Sequence, residues 1–264
     1  MTGWVMAAAW GMVAGGALVV GALVGWTTRP RPHVIATVMA FGAGVLISAL
    51  AFDLAQEAAD SGGLGATITG FLGGAAAYVL VNALLGRYGA RHRKRSGPGH
   101  QPSESELAGS GVAMAVGSLL DGIPETIVLG ASLLSDSGVS IAVAVAIVIS
   151  NLPEGLSSAA GMKHAGRSAR YVFTVWGLIG AVVAASAALG YVTLEGASPS
   201  FVALITAIAA GSILTMVADT MIPEAFEKTH MFTGLVTTLG FLTAFTISRP
   251  VSYTHLTLPT NREV

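Results

Sequence analysis

The sequence predicts an all-α polytopic membrane protein with eight transmembrane helices, and three observations carry this prediction. The 264-residue chain is 53% hydrophobic and only 10% charged, against about 25% charged residues in soluble domains. Its apolar residues fall into runs of about 20, the length that a helix needs to cross the hydrocarbon core of a bilayer. It also contains 34 glycines, and close-packed membrane helices need small residues where their backbones approach.

Eight apolar runs are bounded by charged residues, Pro or Gly, and together they define one membrane domain over residues 1–249. The first run has no basic segment before it and exceeds the hydrophobic core of a signal peptide, so we expect an uncleaved span. A single long hydrophilic linker, 87–107, separates the third span from the fourth. The predicted spans are 4–26, 34–54, 63–86, 108–134, 139–162, 171–194, 200–222 and 231–248.

Small residues and the missing cysteines restrict the chemistry further. The pairs Gly11/Gly15 and Gly21/Gly25 have the four-residue spacing of close helix contacts. They either mark such contacts or arise by chance, since pairs of this kind are common at this glycine content. Because the chain has no cysteine, disulfides and thiolate ligands are excluded. A bound metal would have to be held by oxygen or imidazole.

The distribution of Lys and Arg predicts the orientation of the chain. With the amino terminus outside, all basic residues except Arg249 and Arg262 fall in the loops that face the cytoplasm, as the positive-inside rule requires. We therefore expect a multi-pass protein of the cell inner membrane with both termini extracytoplasmic.

Two polar segments stand apart from the spans. The stretch 91–100 has the composition of a mobile, solvated loop; His92 and His100 either capture metal there or belong to a simple topology anchor. Residues 250–264 fit neither a span nor a juxtamembrane segment and resemble a translated sequencing adapter. We expect them to be a non-native tail, with no role for His255.

The fourth and fifth spans carry ionisable residues near their centres. These residues are Asp121, Glu125 and Glu154, and such groups inside a membrane are functional candidates by default. None of the eight spans contains Lys or Arg in its interior, so we expect these carboxylates to lack a basic partner. They would then be protonated or bind a cation.

Spacing strengthens the cation interpretation. Asp121 and Glu125 are four residues apart, as are Ser150 and Glu154, so each pair lies on one helix face. Two such faces opposed would form a four-ligand cage.

Pro124 and Pro153 interrupt the same two spans and cannot donate to the carbonyl groups of Leu120 and Ile149. Exposed backbone oxygens beside carboxylates are typical of the broken helices of transporters. The alternative is that the prolines only kink the helices and that the acids are protonated in hydrogen bonds.

The two motifs also match each other. The tetrapeptide 122–125 aligns with 151–154, and the two spans run in opposite directions, which predicts an inverted repeat with the substrate site at its interface. Asp53 and Glu57 at the outer end of the second span could line an entrance, and Asp219 and Glu224 at the inner end of the seventh an exit. All four could equally be solvated residues at helix ends.

These features resemble the ZIP (Zrt/Irt-like) family of metal transporters, of which the chain would be a divergent bacterial member. The resemblance rests on the paired Pro-Glu motifs of the fourth and fifth spans and on the Pro223-Glu224-Ala225 element that closes the seventh. It implies a ZIP-like bundle with helices four and five at the centre. It also implies a first metal site from Asp121, Glu125, Ser150 and Glu154, and a second from Gly122, Glu125, Asn151 and Glu154.

By this resemblance the protein is not an enzyme. It would import divalent metal ions, zinc first and also Mn, Fe(II) or Cd, through an alternating-access movement. Its partners would be the metal and the lipid bilayer, with no nucleic acid and no prosthetic group, and a homodimer is compatible with these features. Asp121 and Gly122 depart from the family, which usually has His and Asn there, so the second site is expected to be weak or absent.

Two other functions remain open at the level of sequence. A non-transporting membrane sensor or scaffold would hold one metal as a structural staple. A proton-linked carrier of an organic cation would need a roomier, aromatic-lined cavity, which 7% aromatic residues do not favour.

Overall fold

The computed structural model describes residues 2–28, 30–96, 99–134 and 141–248, and within these ranges the chain forms helices and no strands. The predicted tail 250–264 lies outside the described residues. The α-helices are α1 (Gly3–Thr28), α2 (Pro32–Ala49), α3 (Ala55–Gly86), α4 (Ser110–Ser132), α5 (Ile141–His164), α6 (Ala169–Leu194), α7 (Pro199–Met216), α8 (Ile222–Thr229) and α9 (Phe232–Ser248).

Six helical stretches of the described chain are long and apolar enough to cross a membrane. One of them, Pro32–Gly86, is 55 residues long and contains two of the predicted spans. It is broken at Gly63, whose φ of 76° and ψ of 165° are not helical. The last predicted span corresponds to α9, which has 17 residues. The outer surface is apolar, with Leu72 67% exposed and Leu178 63% exposed, as expected for a multi-pass membrane protein.

Glycine allows α1 to approach two other helices closely. A Cβ added at Gly11 or Gly15 would overlap the backbone of α6, and one added at Gly21 or Gly25 would overlap the backbone of α5. The two glycine pairs therefore lie at two different helix contacts. They confirm the interpretation of the four-residue spacing as a packing signal.

The main helix pairs join distant parts of the sequence. Helix α1 packs on α5 and α6, α2 on α9, α3 on α7, and α4 on α6. Direct contact between α4 and α5 is slight by comparison. Side chains from other segments can therefore lie between their facing residues.

Two π-helical turns extend α2 and α7. The first is Leu50–Leu54 and contains Asp53; the second is Val217–Met221 and contains Asp219. Such turns insert one extra residue into a helix and are frequent at functional sites. Here each of them carries one of the acids that the sequence analysis places on a pathway.

Candidate cation site

The carboxylates of the fourth and fifth predicted spans are all buried. Asp121 and Glu125 lie on α4, and Glu154 lies on α5, and each of the three is at most 3% exposed. Both helices continue through their internal prolines, Pro124 and Pro153. Glu125 lies within electrostatic reach of Glu154 and Asp121. The chain thus concentrates negative charge between two helices that hardly touch.

The expectation that these carboxylates lack a basic partner is wrong. Arg93, from the linker between α3 and α4, is fully buried and forms an ion pair with Asp121. Its Nε donates to Oδ2 of Asp121 at 2.7 Å, and its Nη2 donates to Oδ1 at 2.7 Å. Tyr78 also donates its hydroxyl to Oδ1 of Asp121 at 2.8 Å. The counter-charge comes from a loop, which a search confined to the spans could not reveal.

Lys94 bridges the two helices. Its Nζ lies 3.3 Å from Oδ2 of Asp121 and 3.0 Å from Oε2 of Glu154, and the residue is only 2% exposed. Burial disfavours the charged ammonium, but the carboxylates of Asp121 and Glu154 outweigh burial and raise the pKa of Lys94. Lys94 therefore lies in the charged form between the carboxylates where a cation was expected.

The linker is docked, and the prediction of a mobile solvated loop is wrong for the residues around Lys94. The amide of Gln101 donates to the carbonyl oxygens of Arg93 at 3.1 Å and Arg95 at 2.8 Å. Ser157 of α5 donates its hydroxyl to the carbonyl of Lys94. A segment whose backbone acceptors are satisfied by buried side chains is part of the packed structure.

The linker also contacts α8. The backbone N–H of Ser96 donates to Oε1 of Glu224 at 3.2 Å, and Arg95 lies 4.0 Å from Glu224 and 3.9 Å from Glu227. Glu224, predicted as a pathway residue, is buried under this contact.

Glu125 differs from the other two carboxylates because neither of its oxygens has a hydrogen-bond partner among the described residues, although it is 1% exposed. It borders a cavity of about 10 Å³. The rest of the cavity wall is apolar and includes Leu46, Leu50, Leu54, Val128, Ile147 and Ile213. A buried polar group without a partner is costly. Glu125 is therefore a candidate for a functional residue.

The remaining predicted ligands point elsewhere. The hydroxyl of Ser150 donates to the carbonyl of Ile147 at 2.9 Å, and the amide of Asn151 donates to the carbonyl of Ala14 on α1 at 3.0 Å. In the described part of the chain, no three His, Asp or Glu side chains converge as a set that could hold a metal ion. The four-ligand cage is therefore not assembled in this conformation, in which Lys94 lies between Asp121 and Glu154.

The pathway residues and linker histidines are dispersed. Asp53 accepts a hydrogen bond from Ser248 at 3.1 Å, and Glu57 borders a cavity of about 280 Å³. Asp219 is exposed. His92 accepts a hydrogen bond from Arg91, whereas His100 lies 3.6 Å from Glu227.

Sequence reasoning missed Arg93, Lys94, Tyr78 and Gln101. The sequence does contain a signal for Arg93 and Lys94. Three buried carboxylates in a membrane need positive charges nearby, and the basic cluster of the linker comes shortly before α4. Nothing in the sequence singles out Tyr78 or Gln101.

The fold and the site together define a multi-pass α-helical membrane protein with an ionic centre buried between its helices. No protein-family model matches the chain. Over 192 residues, it is 27% identical to a protein of Arabidopsis thaliana that is provisionally named a zinc transporter. The match covers 70% of this chain and 29% of that relative, so the chain spans about three tenths of the relative's length.

Proposed function

We propose that the protein carries divalent metal cations, zinc first among them, across the inner membrane and into the cytoplasm. Glu125 and Glu154 are the principal ligands, and Asp121, Ser150 and Asn151 complete or support the site when it opens. Mn, Fe(II) and Cd are further cargo candidates because carboxylates accept all of these ions. The zinc preference rests on the name of the relative and on the resemblance to the ZIP family.

The observation that carries this proposal is the buried carboxylate of Glu125, whose two oxygens lack partners among the described residues. A charged carboxylate in such a place is costly unless it binds a cation or a proton. Glu125 also lies within electrostatic reach of Glu154, so one metal ion could engage carboxylates from both α4 and α5.

The architecture proposed for transport has eight spans. Counting Pro32–Gly86 as two spans at its Gly63 break and including α9 gives this number. The π-helical turns with Asp53 and Asp219, one on the second span and one on the seventh, add a second matched pair to the Pro-Glu motifs of α4 and α5. Both pairs support an inverted repeat with the site at its interface.

Transport into liposomes tests the proposal directly. Liposomes that contain the purified protein should take up Zn, Mn, Fe(II) or Cd. Liposomes with the Glu125→Gln variant should lose nearly all of this uptake. Glu106→Gln, which removes an exposed acid of the linker, should keep it. Metal binding without flux would instead identify a non-transporting sensor, and the absence of both binding and flux would refute the proposal.

A further inference from the structure

We propose that Lys94 is a tethered cation that occupies the cargo position, and that a divalent metal enters the site by displacing its ammonium group. This inference rests on the proposed function and adds a specificity-determining residue to it. The observation behind it is the position of Nζ of Lys94, 3.0 Å from Glu154 and 3.3 Å from Asp121. These are the carboxylates that α5 and α4 present to each other.

The two linker cations differ in how they are held. Arg93 makes paired hydrogen bonds to Asp121 and also donates to Tyr78 at 2.7 Å and to Asn82 at 2.9 Å. The ammonium group of Lys94 is held only by its two ion pairs among the described residues. Guanidinium is suited to such fixed, multidentate pairing, whereas an ammonium is a point charge on a flexible stem. Arg93 is therefore the anchor of the linker, and the side chain of Lys94 is its exchangeable part.

Charge balance shows what can replace Lys94. When Asp121, Glu125 and Glu154 are all ionised, the two cations Arg93 and Lys94 leave one negative charge of the centre uncompensated. A divalent ion in place of Lys94 makes the centre neutral. A monovalent ion in the same place leaves the excess unchanged, so it gains nothing over the ammonium that it must displace.

The backbone contacts of the linker around Lys94 explain why this segment also closes the site. The carbonyl of Lys94 is bound by Ser157 of α5, and the next residue but one, Ser96, is bound to Glu224 of α8. The linker thus crosses the centre between Ser157 of α5 and the first turn of α8. Withdrawal of the Lys94 side chain together with its backbone opens the centre toward the linker side.

Lys94→Met tests the competition because Met keeps the length and apolar character of the side chain but removes its charge. We expect the Kd for Zn, measured by calorimetry on the purified protein, to fall about tenfold or more. Arg91→Met removes one positive charge from an exposed position of the same linker and should leave the Kd unchanged. An unchanged Kd in Lys94→Met, with metal binding intact in the wild type, would overturn the inference but not the proposed function.

A second measurement keeps Lys94 in place and so does not depend on the folding of that variant. The chain has no cysteine, so Ser96→Cys introduces a single thiol at a buried position of the linker. Zn should raise its rate of labelling by a maleimide several-fold, whereas exposed Ser105→Cys should label at the same rate with and without Zn. No change at position 96, in protein shown to bind Zn, would mean that metal enters without moving the linker, and displacement would be refuted.

Discussion

Asp121 and Glu125 stand one helical turn apart on α4, yet they have opposite surroundings. Asp121 is saturated by Arg93, Tyr78 and Lys94, whereas neither oxygen of Glu125 has a hydrogen-bond partner in the described structure. A carboxylate with that many cationic and hydroxyl contacts contributes to the fold. One without them is available to a ligand. The two acids should therefore respond differently to substitution.

Substitution of either proposed metal ligand, Glu125 or Glu154, should abolish metal uptake, but only one of the two substitutions should destabilise the protein. Glu125→Gln should nearly abolish metal uptake but leave the thermal stability in detergent unchanged or higher, because it breaks no ion pair. Glu154→Gln should abolish uptake and also lower the unfolding free energy by about 3 kcal/mol, because Lys94 loses one of its two buried partners. Equal destabilisation by both substitutions would contradict the distinction.

The pair Arg93 and Asp121 should behave as a buried ion pair in a double-mutant cycle. Asp121→Leu leaves the buried Arg93 guanidinium without its counter-charge, and Arg93→Met does the same to the Asp121 carboxylate. Each single change should cost about 3–5 kcal/mol. Combining Asp121→Leu with Arg93→Met removes both charges and should cost clearly less than either single change. Chemical unfolding in detergent measures all three; costs that simply add would show that the two side chains are not coupled.

At the level of elements, α1 presents glycines to α5 and α6, so the backbones of these helices pack directly against it. A Cβ at Gly21 would overlap the carbonyl oxygen of Leu152 on α5, whereas a Cβ at Gly16 would meet nothing within 4 Å. The position of α5, and with it of Glu154, therefore depends on the missing side chain of Gly21 and not on that of Gly16.

Gly21→Ala should lower the free energy of unfolding by about 1–3 kcal/mol, because the backbone of α5 must move away. Gly16→Ala is the matched control on the same helix and should leave stability unchanged or slightly raised. Thermal unfolding in detergent compares the two. Similar stability of both variants would show that α1 and α5 do not pack closely in solution.

At the level of the whole molecule, the linker connects α3, α4, α5 and α8 at one buried centre. It leaves α3, pairs Arg93 with Asp121 of α4, places Lys94 between α4 and α5, and contacts the first turn of α8 through Ser96. A loop that supplies buried charges cannot be exchanged or shortened as freely as a connector that only determines topology.

The predicted orientation can be tested by single-cysteine labelling. Thr2→Cys should react with an impermeant maleimide in intact cells, because the positive-inside rule places the amino terminus outside. Ser105→Cys in the linker should react only after the membrane is opened. Labelling with the reverse pattern would place the linker outside and would reverse the proposed direction of transport.

The sequence by itself determined that the chain has helices of membrane-spanning length and that its fourth and fifth predicted spans carry acids. Both conclusions depend on local properties, namely the length of the apolar runs and the presence of Asp121, Glu125 and Glu154 within them. The four-residue glycine spacing also indicated helix contacts, because close approach requires a missing side chain wherever the partner helix lies.

Only the tertiary structure decided how these acids are compensated. Arg93 and Asp121 are 28 residues apart, and the composition of the linker is that of a solvated loop whether it is docked or not. Docking depends on buried partners in distant segments, including Gln101, Ser157 and Glu224. No local pattern encodes such partners. Hydropathy reports where each segment meets lipid or water, but the pairing of buried charges is a property of the folded arrangement.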